Sequence, residues 1–139
     1  MAATPTTNTS YQDTLTDIED TLGVVPGFMA AVPEDALVHE WPVFKQYTLG
    51  ETEIPPKYRE LMQFAVASSH HCQYCSTFHS GAAELNGATE EEIAEAGLLT
   101  SITQRWSSML HAQQYDYDTF VDEFNQIGAY LTEQQQAAN

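Results

Sequence analysis

LNGATEEEI, residues 85–93, constrains the fold more than any other stretch, because one helix ends and the next begins inside it. Gly87 follows a helical pattern and tolerates the left-handed conformation that stops a helix. Thr89 then stands three residues before Glu92, the spacing at which hydroxyl and carboxylate cap each other's backbone N–H groups. Ile93, Ala96 and Leu99 follow at helical spacing. A chain with such a stop and start near its middle, and no sustained two-residue alternation anywhere, is expected to be all-α.

The other segments agree, and about six helices are expected. A short first helix covers Thr16–Leu22, and GVVPG at 23–27 ends it. Phe28–Ala31 adds a turn. A second helix covers about Glu34–Leu49, with Leu37, Trp41, Phe44 and Leu49 on one face, and Pro42 inside it predicts a kink or split. Pro56 suits the first turn of a third helix reaching about His70. A fourth runs from near Cys72 to Asn86–Gly87, a fifth carries Ile93 onward through Trp106 and Met109, and a sixth holds Phe120, Val121, Phe124 and Ile127. Residues 1–139 are enough for one domain with its own core. Residues 1–10 and 133–139 read as disordered.

Charge narrows the partners. Twenty acids face four bases (Lys45, Lys57, Arg59 and Arg105), a net charge of −16. Nucleic acid and anionic membrane are poor partners for such a surface. No stretch approaches the roughly 20 apolar residues of a membrane span, and MAATPTTNTS lacks the features of a secretory signal. The cytoplasm is the expected location. Scarce lysine with abundant acid resembles halophile proteins, in which molar salt cuts the Debye length to about 3 Å and screens self-repulsion.

The only cysteines lie in HCQYCSTFH, residues 71–79. Positions three and four apart share a helix face, so Cys72, Cys75 and His79 form one stripe, continued by Ala82, Ala83 and Asn86. The plain alternative is that the stripe is core, since free cysteine packs as a small hydrophobe. The spacing has chemical content, however. Two thiols three apart near a helix start can close into a disulfide, and the helix N-terminus favours a thiolate. His79 is one turn from Cys75 and leans back onto that turn. It lies two turns from Cys72, roughly 10.5 Å along the axis at 1.5 Å per residue. These distances predict that His79 activates Cys75 and that Cys72 resolves. The helix dipole, which Cys72 feels more strongly, pulls the other way.

Glu60 opens the apolar run ELMQFAVA. It is either a first-turn acid in water or, if buried opposite His79, the group that orients the imidazole. His70 and His71 are either extra ligands or part of a polar helix junction, and the junction is the simpler reading. His39 and His111 have no motif around them. Trp41 and Trp106 read as core or interface anchors.

RELMQFAVASSHHCQYCSTFHSGAAELNGATEEEIAEA closely resembles the core of the carboxymuconolactone decarboxylase-like superfamily, in its AhpD-type alkylhydroperoxidase branch. The signature is a Glu twelve residues before the first Cys, then Cys-x-x-Cys, then His four residues on, matched by Glu60, Cys72, Cys75 and His79. The resemblance covers roughly residues 15–110. It implies an AhpD-like helical subunit that assembles into trimers, hexamers or related homo-oligomers. It also implies a dithiol peroxidase or disulfide oxidoreductase for antioxidant defence, with a Glu60–His79 proton relay. The substrate would be a hydroperoxide, and the electrons would come from a dithiol reductant or a partner redox protein. No cofactor and no metal are expected. Tyr74 stands where well-studied AhpD members carry a second histidine between the cysteines, which shortens the relay. Two other classes remain open. One is a metal-binding module using Cys72, Cys75, His79 and one of Glu60, His70 or His71. The other is a non-redox decarboxylase or lactone-acting member of the superfamily, although that branch lacks the cysteine pair.

Overall fold

The computed structural model describes residues 10–138. Among them are seven α-helices and one π-helical segment: α1 (Tyr11–Leu22), α2 (Gly27–Ala30), α3 (Glu34–Phe44), the π segment (Lys45–Leu49), α4 (Pro56–Ser69), α5 (Gln73–Leu85), α6 (Glu90–Ala112) and α7 (Tyr117–Ala137). The expected all-α class holds, and the additional helix is α2, four residues long, where only a turn was expected.

Helix α1 starts earlier than its apolar pattern suggested. Ser10 and Asp13 cap each other's backbone N–H groups, and this box nucleates a turn ahead of Thr16. Pro42 does not end α3. The change comes at Lys45, where the hydrogen bonding loosens to the π pattern and Gly50 N–H reaches back to the Lys45 carbonyl at 2.9 Å. A proline removes one helix donor and crowds the carbonyl four residues back, and a π turn absorbs that misfit. Gly50 is required there, because a side chain would meet the Gln46 carbonyl oxygen at 2.7 Å.

A core of Ile18, Met29, Leu37 and Trp41 joins α1, α2 and α3, with Phe44 packed against it. Trp41 Nε1–H donates to Asp17 at 2.6 Å, and Lys45 pairs with the same carboxylate at 2.6 Å. Helix α4 is the hub of the second half and packs on α5, α6 and the π segment. Lys57 ties α4 to α6 through Glu92 at 2.7 Å. Glu92 also completes the predicted capping box with Thr89, and Gly87 adopts φ +84° as its position requires.

Helix α7 contains no buried residue. The tail read as disordered is helical as far as Ala137, since Glu, Gln and Ala all favour the helix. The other stretch read as disordered, 1–10, lies outside the described residues except for Ser10, which caps α1. No described helix is long and apolar enough to cross a membrane.

Candidate active site

The site is built where α4 ends and α5 begins. The two helices join through residues 70–72 alone. His70 caps α4, His71 takes a left-handed conformation (φ +55°), and Cys72 N–H returns to the Ala67 carbonyl at 3.1 Å. His71 N–H bonds the Ser68 carbonyl at 3.2 Å, completing a Schellman closure with histidine in the place glycine normally takes. The next residue, Cys72, is already the N-cap of α5, its backbone extended. The chain therefore reverses with no intervening loop, which lays α5 along α4. The paired histidines form the helix junction.

This reversal brings Glu60 and His79 together across nineteen residues. Glu60 Oε2 lies 2.8 Å from His79 Nδ1. The carboxyl side chain is 1% exposed and the imidazole 15%. An ionised carboxylate only accepts, so Nδ1 carries the proton of this bond and Nε2 holds the lone pair of the neutral ring. Phe78 sets its ring edge-on to the imidazole, 5.1 Å between centroids, and contacts Phe44 in turn. Glu60 is thus a buried partner and not a solvated first-turn acid.

The thiols occupy the exposed mouth. Cys72 Sγ accepts the Cys75 backbone N–H at 3.3 Å, as a Ser or Asp oxygen does at an N-cap. Both cysteines are free, Cys72 half-buried and Cys75 exposed. The Cys75 thiol and backbone N–H, with the Tyr74 N–H, hold the Cys72 thiol below the usual range. Cys75 is pushed up, first by the Cys72 sulfur beside it and then by desolvation. These directions favour Cys72 as the readier thiolate, whereas helical spacing alone points to Cys75. His79, bonded to Glu60, forms no hydrogen bond with either sulfur.

Arg59, in the sequence only one of four bases, is a further member of the site. Its guanidinium is buried (7% of the residue exposed), with Nε 3.4 Å from Glu60 Oε1. The remaining N–H groups hold the Thr48 carbonyl at 2.8 Å and the Gly50 carbonyl at 2.7 Å. The available signal was scarcity: a chain with four bases places one directly before the signature glutamate. On the far side of Arg59 and Glu60 lies a depression of about 450 Å³, walled by Leu22, Leu49, Phe78 and Leu85. The cysteines do not line it. No group of three or more His, Cys, Asp or Glu among the described residues is placed to hold a metal ion, which leaves the metal-module alternative without a ligand cluster.

Comparison with known proteins agrees with this geometry. The profile of the carboxymuconolactone decarboxylase family matches residues 36–115, more than half of the chain. The chain belongs to the carboxymuconolactone decarboxylase family. Its fold is of the AhpD type. The alkylhydroperoxidase AhpD core from Rhodospirillum rubrum superimposes with a TM-score of 0.68 at 25% identity, over 80% of this chain and 85% of that one. No curated protein matches the sequence. The chain carries its buried Glu–His pair on α4 and α5, and both cysteines stand at the start of α5.

Proposed function

We propose that this protein is a dithiol peroxidase that reduces hydroperoxides by cycling Cys72 and Cys75 between dithiol and disulfide. The reading rests on one observation above all: a buried carboxylate aligns an imidazole one helical turn from a Cys-x-x-Cys that starts the same helix. The Cys72 thiolate attacks the terminal peroxide oxygen, the O–O bond breaks, and the alkoxide leaves as alcohol, taking up from solvent the proton that Cys72 released on ionising. Cys72 is then a sulfenic acid. His79 Nε2 takes the Cys75 proton, directly after a side-chain rotation or through a water. The Cys75 thiolate displaces hydroxide from Cys72, which leaves as water with the proton from His79, and the disulfide forms. In sum, two thiols and ROOH give a disulfide, ROH and water. An external dithiol restores the pair by exchange. Passing electrons to a partner redox protein uses the same dithiol, with the partner's disulfide in place of the peroxide as oxidant, and belongs to the same reading. No cofactor is needed. The cytoplasm, which keeps thiols reduced, suits the resting dithiol.

The reading includes a homo-oligomer, a trimer or hexamer. Its support is the row of apolar side chains left in water on α6 and α7: Leu98, Ile102, Trp106, Phe120, Phe124 and Ile127, of which Phe124 is 64% exposed. Monomers rarely leave so long an apolar row uncovered. Covering such faces between copies is of the order of the ~800 Å² per partner of a standard interface.

The deciding test is thiol counting with intact mass, before and after one equivalent of an organic hydroperoxide, on protein kept in high salt. Loss of both thiols and of two hydrogens in mass is expected. Two thiols that survive would overturn the reading.

A further inference from the structure

We propose that Arg59 is the positioning residue that keeps the Glu60–His79 pair working as a relay, by holding Glu60 ionised whether or not His79 carries a second proton. The proposal deepens the peroxidase reading and rests on it for its biological meaning, although its test does not.

The need follows from burial. Glu60 is 1% exposed. A buried carboxylate with one titratable partner either takes a proton itself or traps that partner in the charged form. Either outcome stops a relay, because the imidazole must pass between neutral and charged to accept and return a proton. A permanent cation resolves this. A guanidinium does not deprotonate in proteins, so Arg59 remains positive when His79 becomes neutral. The two carboxylate oxygens are divided accordingly: Oε1 faces Arg59 Nε at 3.4 Å and Oε2 faces His79 Nδ1 at 2.8 Å.

The guanidinium is fixed from outside the pair. The Thr48 and Gly50 carbonyls close the π segment, and a helix end of that kind presents negative dipoles to a cation. The Thr52 hydroxyl adds a long contact at 3.4 Å. In the π segment the charged residue, Lys45, is committed to Asp17 of α1. From α5, Cys72 and Cys75 are the other titratable groups on the His79 stripe. On α4, Lys57 is committed to Glu92 of α6. Arg59 is thus the cation beside the pair, and it ties the relay to the segment 48–52.

The sign of the effect can be worked out. Removing the cation makes the Glu60–His79 pair hold its proton more tightly. The proton then leaves at higher pH, and less neutral imidazole is present at pH 7. The test follows the His79 ring nitrogens by NMR over pH in the full-length chain, a readout that needs no peroxide turnover. Arg59→Met is expected to raise the midpoint by about one pH unit, a tenfold loss of neutral ring on its steep side. Arg59→Lys, which keeps the charge, is expected to stay near the parent. In a Glu60→Gln background, Arg59→Met should add no comparable shift, because Arg59 acts through that carboxylate.

An Arg59→Met midpoint equal to the parent's overturns the proposal, as does an Arg59→Lys midpoint displaced as far as that of Arg59→Met. If Arg59→Met does not fold, the unsubstituted chain decides. The Arg59 Nε resonance must move with the His79 titration, and a signal that stays still overturns the coupling. Thiols inert to peroxide would defeat the peroxidase reading and leave these NMR outcomes intact, so the two failures are distinguishable.

Discussion

Glu60→Gln probes stability at the same site. The substitution keeps size and shape but removes the charge that faces both Arg59 and His79. A hydrogen bond to a charged group is worth about 1.5–3 kcal/mol, and leaving a buried charge without its partner costs about 3–5 kcal/mol. Two features offset part of this. The Arg59 N–H groups keep the Thr48 and Gly50 carbonyls, and the new amide oxygen can still accept from one neighbour. The net loss is expected near 2–3 kcal/mol, a large part of the ~5–15 kcal/mol that holds a domain folded. With a urea slope of about 2 kcal/mol per M, the midpoint should fall by roughly 1–1.5 M. Urea titration followed by circular dichroism measures it, at one protein concentration because assembly adds to apparent stability. Lys57→Met, which breaks the solvent-facing pair with Glu92, is the control and should move the midpoint far less. A Glu60→Gln midpoint within 0.3 M of the parent, about 0.6 kcal/mol at that slope, would refute the claim that Glu60 is a buried, doubly engaged anion.

Three further outcomes are expected. Alkylation with iodoacetamide, mapped by peptide mass, should modify Cys72 at a lower pH than a free thiol and Cys75 at a higher one. The sign follows from the N–H and S–H donors that stabilise the Cys72 thiolate and from the repulsion a second thiolate meets; equal profiles would remove the proposed order of attack. His71→Gly should raise stability by about 0.5–1 kcal/mol, because the left-handed position at φ +55° strains a side chain and costs glycine only chain entropy; a thermal melt lower than the parent's contradicts this. Dilution from molar to low salt should lower the melting temperature, since sixteen net negative charges are then poorly screened; an unchanged melt defeats the halophile reading.

Legibility differed from element to element for identifiable reasons. The α5–α6 boundary could be read in full, because Gly87, Thr89 and Glu92 act on backbone groups within four residues of themselves. The start of α1 was missed although Ser10 and Asp13 make the same kind of box, because attention to apolar periodicity passes over a polar first turn. Pro42 announced a disturbance but not its form. Proline chemistry does not say whether the misfit becomes a kink, a break or a π turn three residues later. The thiol order stayed open in the sequence for a related reason. Helical spacing placed His79 near Cys75, while the N-cap conformation of Cys72 depends on how α4 closes.

The sequence by itself determined the helices, their main stops and starts, the acidic surface and the four residues of the signature. Each of these follows from interactions along a few residues of one chain segment. Only the tertiary structure decided that Glu60 is buried, that it faces His79, that Arg59 shares it, and that the apolar row of α7 stays uncovered within one chain. Those facts depend on the angle at which α5 returns along α4 and on what that return removes from water. A carboxylate near the start of a helix is a solvated acid or a relay member according to its burial. The reversal at His70–Cys72 sets that burial by bringing together groups nineteen residues apart.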